Sequence, residues 1–434
     1  MKIGRLYLIL FMSVFFLAMR PCGVSAEEYS LDDLYQIALQ RAEKIKVSEE
    51  NLYIAETGRE KALSLLLPKL SAFGSYLKYT GSKRNDSGVI IQPDEASSWG
   101  LRLDESLSTS GRELTALRIS KETIAKNRHD LHAIQEEYLF NVAYDYYDVL
   151  RAEKGVDIAQ SNLDRLQKYR DAAQKRLRVG EVTKTAVLRA NGELSGALSD
   201  HVKAKNVMEL TRSVLARTVG IAPDFKLKEV SHRDIEIPLL PSFQERALLE
   251  REDLKSLERQ KKIAEEQVKY TKGAFWPTVS LSGVYAGADQ DPSSQTLNKE
   301  SVYAGIALNF PIYEGGLRVA EVKEARSKER QAILIYEDFK KSIAVEVHSA
   351  YLDIMTQKGI LKFLEDELAY AKDNFYAVSK QFEYGLANSI DVIDANTLLV
   401  SSERKLADAV YSYELSILKI KKTTGVLLKT VTNQ

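Results

Sequence analysis

The chain repeats itself once: the segment from about Leu31 to Gly220 recurs as about Phe243 to Gly425. The register can be counted. Ala38, Leu39, Pro68, Ser71, Gly74 and Tyr76 meet identical residues 209 positions later at Ala247, Leu248, Pro277, Ser280, Gly283 and Tyr285. After a change in loop length the offset becomes 205, pairing Gly100 with Gly305, Gly111 with Gly316, Tyr146 with Tyr351, Gly180 with Gly385, Asn191 with Asn396 and Gly220 with Gly425. A register kept to the final glycine means that each copy is one structural unit and that the two copies share a plan.

Prolines divide that plan. They stand at 21, 68, 93, 223, 238, 241, 277, 292 and 311, so Pro93 to Pro223 and everything after Pro311 are free for long helices. In the second copy Val347, Ile354, Leu361, Leu368, Phe375 and Phe382 fall seven apart, with Ala350, Leu364, Ala371 and Val378 as companions. The first copy repeats the seam at Val142, Val149, Val156, Leu163 and Leu177, with Arg170 as the polar intruder and Ala152, Ala159, Leu166 and Ala173 beside it. Such seams require partner helices. A helix from Gly111 to about Val179 would be a rod of roughly 100 Å at 1.5 Å per residue. Gly180 and Gly385 end the two rods, and second helices follow over Thr183 to about Thr218 and Asn388 to about Thr424.

Two strands precede each rod: Lys69 to Thr80 and Ser98 to Leu107, then Thr278 to Ala288 and Ser301 to Ile312, with alternation clearest in Val302, Ala304, Ile306, Leu308 and Phe310. Both tryptophans, Trp99 and Trp276, lie in or beside these strands with Phe73, Tyr76, Tyr79, Tyr285, Tyr303 and Tyr313. Strands of about ten residues with aromatic girdles suit a tilted bilayer crossing. A small soluble β-domain is the competing reading. Four strands cannot close a barrel, and an open edge is not tolerated in lipid, so several copies must share one barrel.

The N-terminus reads as a secretory signal: Lys2 and Arg5, an apolar run from Leu6 to Ala18, and Val24-Ser25-Ala26 before Glu27. The single cysteine, Cys22, lies inside it. A lipid anchor there is the rival reading, against which Arg20 and Pro21 precede the cysteine. Removal of Lys2, Arg5 and Arg20 takes 61 basic residues to 58 against 61 acidic ones, so nucleic acid is not an expected partner. After Ala26 no apolar stretch approaches the roughly 18 residues of a spanning helix. Any crossing must use strands.

The strand pairs leading into Pro311-Ile312-Tyr313-Glu314-Gly315-Gly316-Leu317-Arg318, and the rods ending in Tyr384-Gly385-Leu386-Ala387-Asn388-Ser389-Ile390-Asp391-Val392-Ile393-Asp394-Ala395, resemble the TolC-like outer membrane efflux protein family. Ser110-Gly111-Arg112 and Val179-Gly180 echo them in the first copy, and the resemblance covers about residues 30 to 425. It implies a mostly α fold with a β-barrel portion: a homotrimer whose twelve-stranded outer-membrane barrel is continuous with a periplasmic α-helical barrel. It implies no cofactor. Its partners would be outer membrane lipid, a periplasmic adaptor and an inner-membrane transporter, in an efflux or type I secretion system. The hairpin tips at Gly180 and Gly385 would dock the adaptor.

Carried over by residue, Asp391 and Asp394 match the carboxylates that ring the family's periplasmic entrance. Three apart, they share a helical face, and a ring of such carboxylates holds cations. The competing reading is that acids in the first turn after Asn388 merely complement the helix dipole. The equivalent turn after Gly180 carries Ala186 and Arg189, so capping alone does not demand the pair. Where well-known members bridge neighbouring helices with a tyrosine and an arginine, this chain has Phe382 and Ala387; Thr185 is retained but Ala186 offers no carboxylate, so Phe382 with Thr185 would pack the gate, and core packing is the competing reading of Phe382, which continues the heptad seam.

His129 and His132 stand three apart but lack the company of a metal site, and no catalytic elbow, phosphate loop or metal motif is found, so no enzyme is expected. The organisation expected is a signal peptide over 1–26, a first repeat over 27–222, a linker over 223–242, a second repeat over 243–425 and a tail over 426–434. The alternative to a duct is a non-channel periplasmic coiled-coil protein, structural or adhesive.

Overall fold

A computed structural model describes residues 27–229, 236–294 and 297–432. The signal peptide and Cys22 lie outside the described residues. In chain order the elements are β1 (Glu27–Tyr29), α1 (Leu31–Arg41), α2 (Glu43–Ser64), β2 (Lys69–Lys78), β3 (Lys83–Arg84), β4 (Ile90–Gln92), β5 (Glu95–Ser108), α3 (Arg112–Arg178) and α4 (Lys184–Val219). There follow β6 (Phe225–Leu227), α5 (Leu240–Glu250), α6 (Glu252–Lys272), β7 (Thr278–Asp291), β8 (Glu300–Asn309), α7 (Leu317–Glu383), α8 (Ser389–Thr423) and α9 (Leu427–Thr432). The two long helices α3 and α7 each have 67 residues. Both of their ends lie 205 positions apart, the offset counted in the sequence. Among the described residues no helix is long and apolar enough to cross a membrane.

Two compact units divide the chain. The first comprises Met1–Ala42, Asn141–Ile235 and Met355–Ser416; the second comprises Glu43–Phe140, Glu236–Ile354 and Ile417–Gln434.

In the second unit the four long strands form one sheet in the order β2-β5-β7-β8, every neighbour antiparallel. Register sorts the side chains. One face carries Leu70, Tyr76, Trp99, Leu101, Leu103, Leu281, Tyr285, Val302, Ile306 and Leu308; the other carries Ser71, Ser75, Ser98, Arg102, Ser106, Ser280, Ser282, Ser301 and Asn309. The apolar face is left open, with Val302 and Ile306 each 78% exposed. In water such a face would mark an interaction surface or an aggregation site. Ser75 and Ser98 share a 2.8 Å hydroxyl hydrogen bond on the polar face. The strands outrun the apolar pattern at one end, where Glu95 pairs with Asp291 and Ala96 with Gln290. They fall short of Ile312 at the other, because Pro311 has no N–H to give a ladder.

The helical seam is only partly the one the heptads describe. Val142 and Val149 are fully buried, Val156 and Leu163 are half-buried, and Leu177 is exposed, while the companions Ala152, Ala159, Leu166 and Ala173 are all buried. A straight helix of 3.6 residues per turn drifts about 20° per heptad, so over five heptads the contact line passes from one column to the next. In the second copy Val347, Ile354, Leu361 and Phe382 keep their places in the core.

Both copies contain a helix break that no proline or glycine announces. Ala42 (φ −60°, ψ 121°) separates α1 from α2, and Arg251 (φ −62°, ψ 120°) separates α5 from α6. In the second unit the 426–434 segment holds α9, whose Leu427 is buried. Glu136, only 7% exposed, accepts the Leu427 N–H at 2.7 Å and so caps that helix. Burial pushes its carboxyl up to about 7, against the pull of the Leu427 and Leu428 amides. The folded protein therefore holds this proton more tightly than the unfolded chain does. The stability contributed is complete below the ordinary glutamate value and is lost as pH rises through about 7. Glu136→Gln keeps an acceptor for Leu427 and removes that loss. It should stabilise the protein at pH 8 by on the order of 2–3 kcal/mol and give no such gain near pH 4.5, as read from unfolding curves at both pH values.

Candidate functional site

In the first unit α3 and α7 end in the same way. Gly180 (φ 82°) and Gly385 (φ 77°) adopt the left-handed conformation that glycine takes without penalty. The N–H groups of Glu181 and Leu386 reach back to the Arg176 and Gln381 carbonyls at 2.9 and 2.8 Å. Those of Gly180 and Gly385 each meet a carbonyl at 3.1 Å, so both turns are Schellman caps. A Cβ added at either glycine would meet no heavy atom within 4 Å, so both tips are open.

The helices that follow begin differently. Thr183 precedes α4 without a side-chain cap, its hydroxyl instead 2.7 Å from that of Thr185. Asn388 caps α8: its Oδ1 accepts from the N–H groups of Ile390 (2.7 Å) and Asp391 (3.1 Å), and Asp391 Oδ2 accepts the Asn388 N–H at 2.9 Å. Asp391 is thus the returning half of a capping box. Asp394 has no hydrogen bond or ion pair to any described residue. Both carboxylates are exposed on one face of α8, and Val392 and Ile393 on the opposite face are buried.

That buried face belongs to a core drawn from four helices, comprising Tyr169, Ala173, Val187, Ala190, Phe382, Val392 and Ile393. Phe382 is 5% exposed, its ring centroid 5.3 Å from that of Tyr169, and the Arg176 guanidinium lies 4.6 Å over its ring. Within one chain it fixes the tip from inside. Burial pushes the Tyr169 hydroxyl above its ordinary range, and as a neutral donor it bonds the Ser389 carbonyl at 3.2 Å in the first turn of α8. Arg165 bonds Asn396 at 3.0 Å and Glu403 at 3.1 Å, and Asn396 bonds Asn162 at 2.7 Å. This network is invisible to sequence periodicity, because its partners lie more than 230 residues apart. The helix carrying the two acids is therefore held from behind while the acids face outward.

His129 Nδ1 lies 2.6 Å from Glu252 Oε2, and His132 Nδ1 lies 3.5 Å from the same oxygen. No group of three or more histidine, cysteine or acidic residues suited to a metal occurs among the described residues.

A sequence model of the family "Outer membrane efflux protein" matches residues 34–220 and again 244–426, most of the chain and one match per copy. The chain belongs to this family. As an outer membrane efflux protein it has relatives that include the outer membrane protein TolC of Escherichia coli (strain K12), 24% identical over 419 residues, covering 92% of this chain and 82% of the relative. Its fold is that of the Campylobacter jejuni CmeC outer membrane channel, with a TM-score of 0.82 at 18% identity over 92% of this chain and 86% of that one. VceC from Vibrio cholerae shares it too, with a TM-score of 0.78 at 18% identity, over 91% of this chain and 96% of the other. The family is one of transport ducts, not of enzymes.

Proposed function

We propose that three copies of this outer membrane protein close a twelve-stranded barrel and a helical duct, the passive exit of an efflux or type I secretion system. The observation that carries the trimer is the sheet itself. One face is apolar and open, and among the described residues both edges, β2 and β8, are unpaired. Neither is stable in lipid unless another copy's strand covers each edge. Strand direction alternates from β2 to β8, so β8 of one copy meets β2 of the next antiparallel, as a closed barrel with an even strand count requires. A soluble periplasmic coiled-coil protein would have no use for the open apolar face.

In this duct Asp391 and Asp394 ring the periplasmic entrance, six carboxylates in all, and favour cations there. The open tips at Gly180 and Gly385 dock a periplasmic adaptor that links the duct to an inner-membrane transporter, which supplies the energy. Phe382, packed in the tip core, and Thr185, in the first turn of α4, set how the tip helices pack at the gate.

Purified protein in planar bilayers should conduct with a preference for potassium over chloride. Asp391→Asn with Asp394→Asn should lower that preference about tenfold while leaving conducting pores. Asparagine at 391 can still accept the Asn388 N–H, so the capping box survives the loss of charge. A protein that forms no pores would overturn the duct, and unchanged selectivity would overturn the role of the two acids.

A further inference from the structure

The polar face of the sheet carries few charges, and they are unevenly placed. Register puts only Lys69, Arg102 and Asp104 there; Lys78, Glu95, Glu105, Asp289, Asp291 and Glu300 belong to the other face. Lys69 and Asp104 are cross-strand partners at one end of β2 and offset one another. Arg102 stands alone at mid-strand, in a row with Ser71, Val284 and Tyr303. Its guanidinium makes no hydrogen bond or ion pair to any described residue.

The neighbouring row is built to receive it. A Cβ on Gly100 would meet Cζ of Phe73 at 2.7 Å and Cε1 at 2.9 Å, so the Phe73 ring lies across the glycine. Only glycine leaves room for that ring. The Arg102 guanidinium sits over the same ring, 5.9 Å from its centroid, at the outer limit of a cation–π contact. Phe73 thus holds the charge against the wall at a defined height.

Resting on the trimeric duct proposed above, we infer that Arg102 forms a ring of three guanidiniums inside the barrel, a second selectivity filter that favours small anions and opposes the acidic entrance. Twelve strands spaced about 4.8 Å and tilted about 40° make a ring roughly 24 Å across. Charges on inward side chains then lie within about one Debye length, ~8–10 Å, of the axis, so they are only partly screened there. Arginine stays charged at any working pH.

Reversal potentials in planar bilayers under a potassium chloride gradient test this. Arg102→Gln should raise the potassium-to-chloride permeability ratio about threefold, and Arg102→Lys should leave it near the parent value. With Asp391→Asn and Asp394→Asn in place the pore should prefer chloride, and adding Arg102→Gln should abolish that preference. Arg102→Gln pores of parental conductance with unchanged reversal potentials in both backgrounds would overturn the ring and leave the duct standing. If the parent protein carried no current, duct and ring would fall together.

Discussion

Gly425→Ala should cost roughly 3 kcal/mol or more of folding stability, whereas Gly220→Ala, at the equivalent place in the first copy, should cost about 1 kcal/mol. Both glycines end a hairpin helix in the left-handed conformation, at φ 73° and 78°, so both variants lose the same backbone preference. The difference lies in what a methyl group would meet. At Gly220 it would find Cβ and Cδ of Arg41 at 3.6 and 3.7 Å, ordinary contacts with a flexible side chain. At Gly425 it would lie 2.8 Å from the Arg251 nitrogen, 2.9 Å from its Cα and 2.9 Å from the Glu250 carbonyl carbon. Backbone cannot rotate away, so the α5–α6 joint itself must shift. Denaturant unfolding of the detergent-solubilised protein, followed by far-ultraviolet circular dichroism, would measure both costs. Equal losses would mean that the joint yields, contrary to this packing.

The sequence made regular periodicity legible and left local geometry hidden. The sequence puts the first rod between Gly111 and about Val179 and ends the second at Gly385, and α3 and α7 each end two residues before their tip glycine, because glycine and proline write their constraints directly into the chain. Alternation found all four long strands. It misplaced their ends because Glu95, Asp289 and Asp291 extend the ladder without apolar side chains to announce it. It could not find the parallel pair β1–β6, three residues each and almost 200 apart, nor the β3–β4 hairpin, since such short runs have no period to detect. The breaks at Ala42 and Arg251 were equally silent, for their bend is made by ordinary residues in an extended conformation. At the tip, the spacing of three puts Asp391 and Asp394 on one face of α8, and both are exposed. Asp391 also closes a capping box with Asn388, the local helix-terminus role of the competing reading.

Arg251→Met should destabilise the protein by about 3 kcal/mol, and most of the loss should return when Asp253→Asn and Glu346→Gln are added. The residue is 8% exposed and gathers a cluster of charges in the second unit. Its guanidinium donates to both Asp253 oxygens at 3.0 and 2.7 Å, to Glu346 at 2.6 Å and to the Thr423 carbonyl at 3.4 Å, and it lies 5.5 Å over the Phe339 ring. These bonds tie the α5–α6 joint to α7 and to the last turn of α8, where a cation complements the free carbonyls. Methionine fills much of the same space but leaves the Asp253 and Glu346 carboxylates without their cation. Each is more than a third exposed, so water recovers part of the loss and the cost falls at the low end of the range for a broken buried pair. The first copy argues that the backbone does not need the charge. Its equivalent residue is Ala42, which makes the same bend while buried, with Lys44 and Asn141 where the second copy has Asp253 and Glu346. The triple variant therefore approaches, in the second copy, a joint without the central guanidinium and its two carboxylates, of the kind the first copy already uses. Recovery of most of the lost stability, measured by the same denaturant unfolding, is the expected outcome. A triple variant no more stable than Arg251→Met would instead mean that the guanidinium is needed for its bond to Thr423 and its packing on Phe339.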